Sequence, residues 1–121
     1  MAARAFLSAL FLLIFCGSAL AQTLRVAVIS DLNGSYGATL YSPRVAAVVE
    51  RIIALAPDLV ISTGDMVAGQ RRPVLSELEV RAMWDAFHYA VTGPLSSAGI
   101  PLVVTPGNHD ASAYGGFEEE R

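Results

Sequence analysis

The sequence contains no lysine; all eight of its basic residues are arginine. That bias reads as codon usage rather than chemistry. Neither a G-x-G-x-x-G nor a lysine-bearing phosphate loop follows the first apolar strand, which weighs against a nucleotide-binding α/β domain of that kind. Cysteine is almost missing too, Cys16 being the only one. Also lacking is an apolar run of the roughly 20 residues that a membrane-spanning helix needs. The run over residues 6–15 contains Ser8, and Gly17 and Ser18 interrupt it before Leu20.

That short run has the layout of a secretory signal over residues 1–21. Arg4 provides the positive start, and Ala19-Leu20-Ala21 has the small-x-small cleavage pattern, leaving Gln22 as the first mature residue. Lipid attachment at Cys16 is disfavoured by bulky Phe15 before it. Cys16 leaves with the signal, so the mature chain can form neither an internal disulfide nor a thiolate metal site. Export to the periplasm or the exterior is the expectation.

The mature chain has seven arginines against eleven acidic residues, a net charge of −4. This mild acidity provides no footprint for nucleic acid. The chain shows no internal repeat, low-complexity tract or linker, and residues 22–121 read as one small domain or part of a larger one.

Residues 24–30 form a β-branched run that reads as a mostly buried strand. Ser42 and Pro43 have the form of a helix N-cap and first turn. Val45, Val48, Val49, Ile52, Ile53 and Ala56 then recur at helical spacing until Pro57. Residues 58–62 predict a second strand. Ser76 and Glu79 form a capping box opening a helix with Val80, Met83, Trp84, Phe87 and Val91 on one face, expected to close at Gly93-Pro94. Residues 100–104 give a third strand. The order βαβαβ predicts an α/β fold with a parallel, buried sheet covered by helices. The polar ending "GGFEEER" and the short sheet lead to the expectation of an N-terminal piece of a longer protein.

Each strand ends in an oxygen-bearing side chain: Asp31, Asp65 and Asn108. Ligands of open α/β sheets bind beyond the carboxyl ends of the strands, so these groups should converge. Two carboxylates, an amide oxygen and the imidazole of His109 suit a divalent ion such as Mn²⁺, Fe²⁺, Zn²⁺ or Mg²⁺. Gly64 and Gly107 stand where the backbone must turn sharply or approach closely.

"ISDLNG" (29–34), "TGDMVAG" (63–69) and "TPGNHDAS" (105–112) resemble, in order, the first three signature blocks of the calcineurin-like metallophosphoesterases. The resemblance implies a layered sheet covered by helices, here its incomplete N-terminal half, and two divalent metal ions. It implies that Asp31 binds the first metal, Asp65 bridges both, and Asn108 binds the second. His109 would lie near the leaving-group oxygen, with Asp110 orienting its imidazole. The activity implied is attack of a metal-bound hydroxide on a phosphate mono- or diester, the substrate being a small molecule.

Two departures from the family pattern bear on the metals. Asn33 stands where the family has a histidine; an amide oxygen suits Mn²⁺ or Mg²⁺ better than zinc. The later histidine blocks do not occur before Arg121, so these residues alone should bind metal weakly and catalyse little. Ala68, in place of a tyrosine, argues against the purple acid phosphatase branch.

Plainer readings exist for each piece. Asn33-Gly34 alone is an ordinary tight-turn pair, and Gly64-Asp65 alone is equally unspecific. Asn108, His109 and Asp110 could form a capped loop, His88 a helix surface, Arg71 and Arg72 a solvated loop, and Glu118, Glu119 and Glu120 an exposed helical turn. Three ligand-bearing strand ends in succession favour the metal site. The alternative function is a non-catalytic metal- or ligand-binding relic of the same fold.

Overall fold

The computed structural model describes residues 23–71 and 73–111. The expected signal segment, Arg72 and the glutamates near the end lie outside the described residues. Three short runs rich in Val, Leu and Ile, residues that suit a pleated and partly buried surface, form the strands β1 (Val26–Ile29), β2 (Leu59–Ser62) and β3 (Leu102–Val104). They make one parallel sheet in the order β1-β2-β3. In register, Val28 lies beside Ile61 and Ile61 beside Val103, so all three carboxyl ends finish at the same edge.

The first crossover carries helix α1 (Pro43–Leu55). The second carries α2 (Glu77–Phe87), a π-helical turn (His88–Thr92) and α3 (Gly93–Ser97), and a short α4 (Asn108–Ala111) follows β3. Because parallel connections are right-handed and the strand order never reverses, both crossovers fall on one face of the sheet. Ile29, Val60 and Ser62 are buried beneath them. Helices cover the sheet as expected, on this one face among the described residues; Val26, Val28 and Val103 point the other way and are exposed.

Helix α1 starts where Ser42 accepts a hydrogen bond from the Arg44 N–H at 3.3 Å and Pro43 pre-sets the first turn. It buries Val45, Val49 and Ile52, one stripe of the helix. Ala56 ends it in the left-handed region at φ 44°. Arg25 then takes two of the end carbonyls, donating to Leu55 O at 3.2 Å and Ala56 O at 3.1 Å, while its backbone N–H donates to Asp58 at 2.7 Å. One arginine thus ties β1, the end of α1 and the start of β2 together.

Helix α2 opens with the expected capping box. Ser76 N–H donates to Glu79 Oε2 at 2.8 Å and Glu79 N–H to Ser76 Oγ at 3.3 Å. The expected stop at Gly93-Pro94 does not occur: the helical path continues to Ser97. Pro94 has no N–H, and in regular α geometry its ring would strike the carbonyl four residues back. A π turn avoids the clash by widening the helix, and Gly93 N–H donates to His88 O, five residues back.

Met83, Phe87, Val91 and Leu95 from this helix meet Val45, Val49 and Ile52 of α1 over Val60. Burying each such side chain stabilises the fold by about 1.5–3 kcal/mol. Trp84 packs edge-on against Phe87, with ring centroids 5.9 Å apart. His88 is exposed on the helix surface, as expected.

Candidate metal centre

The carboxyl edge of the sheet is built from three loops that stay laddered after the strands end. Thr63 N–H donates to Ile29 O at 3.0 Å, Asp31 N–H to Gly64 O at 3.3 Å and Asn33 N–H to Asp65 O at 3.0 Å. On the other side of β2, Thr105 N–H donates to Ser62 O at 3.0 Å. The tips of β1 and β3 are thereby held on either side of the central β2 tip.

Asp31 and Asp65 both have left-handed backbones, at φ 54° and 55°. Outside glycine that region is sparsely used, Asp and Asn being among the residues that tolerate it. Such backbone states persist where the surroundings enforce them, and they cluster at functional sites. Here the enforcing contacts are the ladder bonds just described.

Gly64 and Gly107 allow the second and third loops to touch. A Cβ on Gly64 would lie 2.5 Å from Gly107 Cα and 2.6 Å from its nitrogen, and Gly64 also has φ 118°. A Cβ on Gly107 would strike Asp65 Oδ1 and its backbone nitrogen. With both Cβ atoms absent, Asp65 Oδ1 reaches the His109 N–H, which donates to it at 3.0 Å.

Asp110 is the buried polar group beneath this contact. Its Oδ2 accepts from Asp65 N–H and Gly107 N–H, and its Oδ1 from Met66 N–H and Val67 N–H, each at 2.8 Å. Successive N–H groups pointing into one concavity make an anion nest, and this one is filled by the protein's own carboxylate. The sequence reading had Asp110 orient the His109 imidazole. The structure uses both its oxygens on backbone instead, and His109 Nδ1 is buried with no hydrogen-bond partner among the described residues. The carboxylate is drawn to four converging donors because a single ring N–H cannot match them.

Several residues of the site gave no distinct signal in sequence. Tyr41 donates its hydroxyl to Met66 O at 2.5 Å; burial, with the Asp110 charge second, pushes its pKa up to about 12. Gly69 N–H donates to His109 O at 3.0 Å, and the Gln70 side chain donates to Asn108 O. Met66, Val67 and Ala68 are buried, so the loop after β2 belongs to the core. Tyr36 lies against the His109 ring, centroids 5.7 Å apart and tilted by 35°. Only spacing in three dimensions reveals these partners. Arg71 is exposed and lies by Gly37.

The edge thus presents Asp31, exposed, with Oδ2 receiving the Ser30 hydroxyl, and Asp65, half-buried. Asn33 donates from its amide nitrogen to Val67 O at 3.4 Å, and its side-chain oxygen accepts no hydrogen bond among the described residues. Asn108 is exposed at the start of α4. In donor type, these oxygens fit a hard divalent ion such as Mn²⁺ or Mg²⁺. Among the described residues, no three His, Cys, Asp or Glu side chains gather with metal-holding geometry, so this donor set is partial.

The profile of the family described as calcineurin-like phosphoesterase matches residues 24–121. The chain belongs to the calcineurin-like phosphoesterases. No curated protein matches the chain. Members of the calcineurin-like family are metal-dependent phosphoesterases, so the class of chemistry is ester hydrolysis at phosphorus with divalent metals. The three parallel strands and their helices are consistent with an incomplete version of that α/β fold. No helix among the described residues is long and apolar enough to cross a membrane.

Proposed function

We propose that the protein is an exported hydrolase of small-molecule phosphate mono- or diesters whose metal ligands include Asp31, Asn33, Asp65 and Asn108. The single observation that carries this reading is the pair of left-handed aspartates on one sheet edge, cross-linked through Asp31 N–H to Gly64 O and Asn33 N–H to Asp65 O. Divalent ions bound there would supply positive charge and Lewis acidity toward phosphoryl oxygens and water.

The chain's own residues have separable tasks in this reading. Asp31 presents an exposed carboxylate at the β1 end of the edge. Asp65 is aimed by the His109 N–H on Oδ1, and its Oδ2 accepts no hydrogen bond among the described residues. Asn33 and Asn108 add neutral oxygens, so two carboxylates leave half the charge of a pair of dications uncompensated, and an anionic ester is attracted despite the acidic chain. His109 serves the leaving-group oxygen by donating a proton or stabilising its charge. Asp110 fixes the loop on which Asp65 is mounted. Residues 1–21 are proposed to direct export, and residues 22–121 to be the N-terminal part of the catalytic domain.

The partial donor set supports a second reading, a non-catalytic metal- or ligand-binding relic. One experiment separates the two. The full-length protein is loaded with Mn²⁺, and its metal content and hydrolysis of an aryl phosphate are measured beside Asp65→Asn and His109→Ala. The hydrolase reading expects Asp65→Asn to lower both readouts. It expects His109→Ala to keep the metal and lose about 100-fold or more in rate, the usual worth of a positioned acid. Metal uptake without turnover in the parent protein supports the relic.

A further inference from the structure

We infer that Tyr36 is a positioning residue for His109. The inference rests on the role given to His109 above, but the contact behind it does not. A group that acts on a leaving oxygen must be held within roughly 0.5 Å and 10–20° of its working orientation. For histidine the usual device is a hydrogen bond at the ring nitrogen that does not react. Among the described residues that device is missing at Nδ1, because the atom is buried without a partner there and Asp110 is engaged by backbone. The ring contact the structure does provide is Tyr36, at a centroid separation within the favourable range for aromatic pairs.

Tyr36 is itself anchored. Ala38 N–H donates to Ser35 O at 2.9 Å and closes a four-residue turn, with Gly37 at φ 77° in the position where a type II turn needs a positive value. Gly37 N–H donates to Ala68 O at 2.9 Å, fixing that turn to the buried loop after β2. The backbone of His109 is fixed to the same loop through Asp65 Oδ1 and the Gly69 N–H. Both rings therefore hang from one rigid support, and Tyr36 limits how the imidazole can rotate. Tyr36 itself remains 53% exposed.

The test compares Tyr36→Leu, Tyr36→Phe and His109→Ala in the full-length protein. By NMR, the His109 ring protons should lose their ring-current shift in Tyr36→Leu and keep it in Tyr36→Phe. On a series of aryl phosphates with Mn²⁺, Tyr36→Leu should lower kcat about tenfold for the poorest leaving groups, as expected for a misplaced group. KM should stay nearly constant, and Tyr36→Phe should restore the rate. Adding Tyr36→Leu to His109→Ala should cost nothing further, because the two act as one unit. Unchanged histidine shifts in Tyr36→Leu, or additive losses in the double variant, overturn the inference. A full rate in His109→Ala instead removes the role given to His109, and the NMR comparison alone then decides whether Tyr36 sets the ring.

Discussion

Asp110 shows how a residue can be legible in the sequence while its task is not. The family resemblance pointed it to His109, but its four hydrogen-bond donors come from Asp65, Met66, Val67 and Gly107, three of them more than forty positions away. Asp110→Asn is nearly isosteric yet offers only one oxygen to four N–H groups. Two donors lose their acceptor, and the variant should be destabilised by about 2–4 kcal/mol in urea unfolding. Tyr41 gives a pH signature of the same cluster. Its pKa rises from the ordinary 10.0 to about 12 on folding, so the folded state favours the protonated phenol. That contribution is complete below pH 10 and is lost as pH climbs through 12. In an alkaline titration of stability the parent should fall over this window, and Tyr41→Phe should fall less.

At the scale of elements, the strands and the starts of both long helices were legible because their causes are local. β-branched runs, Ser42 with Pro43, and Ser76 with Glu79 act within a few residues of themselves. The Ser76 N–H bond holds the Glu79 carboxyl below its usual 4.5. A depressed acid stabilises the fold above its unfolded pKa and loses that effect as pH falls through the folded value. The capping box should therefore weaken on acidification below about pH 4.5. Glu79→Gln should flatten that part of the stability profile when unfolding is followed by circular dichroism. The continuation past Pro94 was not legible, because a proline signals a stop unless packing supports a wider turn. Leu95, fully buried just beyond it, is the packing that does so. The seam between loops is also an element-scale device. Gly64→Ala adds both a clash with Gly107 and a strained φ, and should cost about 3 kcal/mol while displacing Asp65. A lower melting temperature with intact helical signal, and reduced metal content in the same sample, would show both effects.

For the whole molecule, the consequence is that a metal bound at the edge should stabilise everything attached to it. A ligand that binds only the folded state adds about 2.7 kcal/mol at about a hundredfold excess over its Kd. Mn²⁺ should accordingly raise the Tm of the full-length protein, EDTA should reverse the rise, and Asp65→Asn should show little of either. A Tm indifferent to Mn²⁺ would count against the edge as a metal centre.

The sequence by itself determined the α/β order, the three strand ends with their polar residues, and the family, because each depends on patterns carried within short stretches. Only the tertiary structure decided which of those residues cooperate. It set the strand order that puts both crossovers on one sheet face, turned Asp110 from the imidazole to the backbone nest, and brought Tyr36 to His109. The reason is physical: hydrogen-bond donors and aromatic rings act over a few ångströms, and folding alone decides which distant residues come that close.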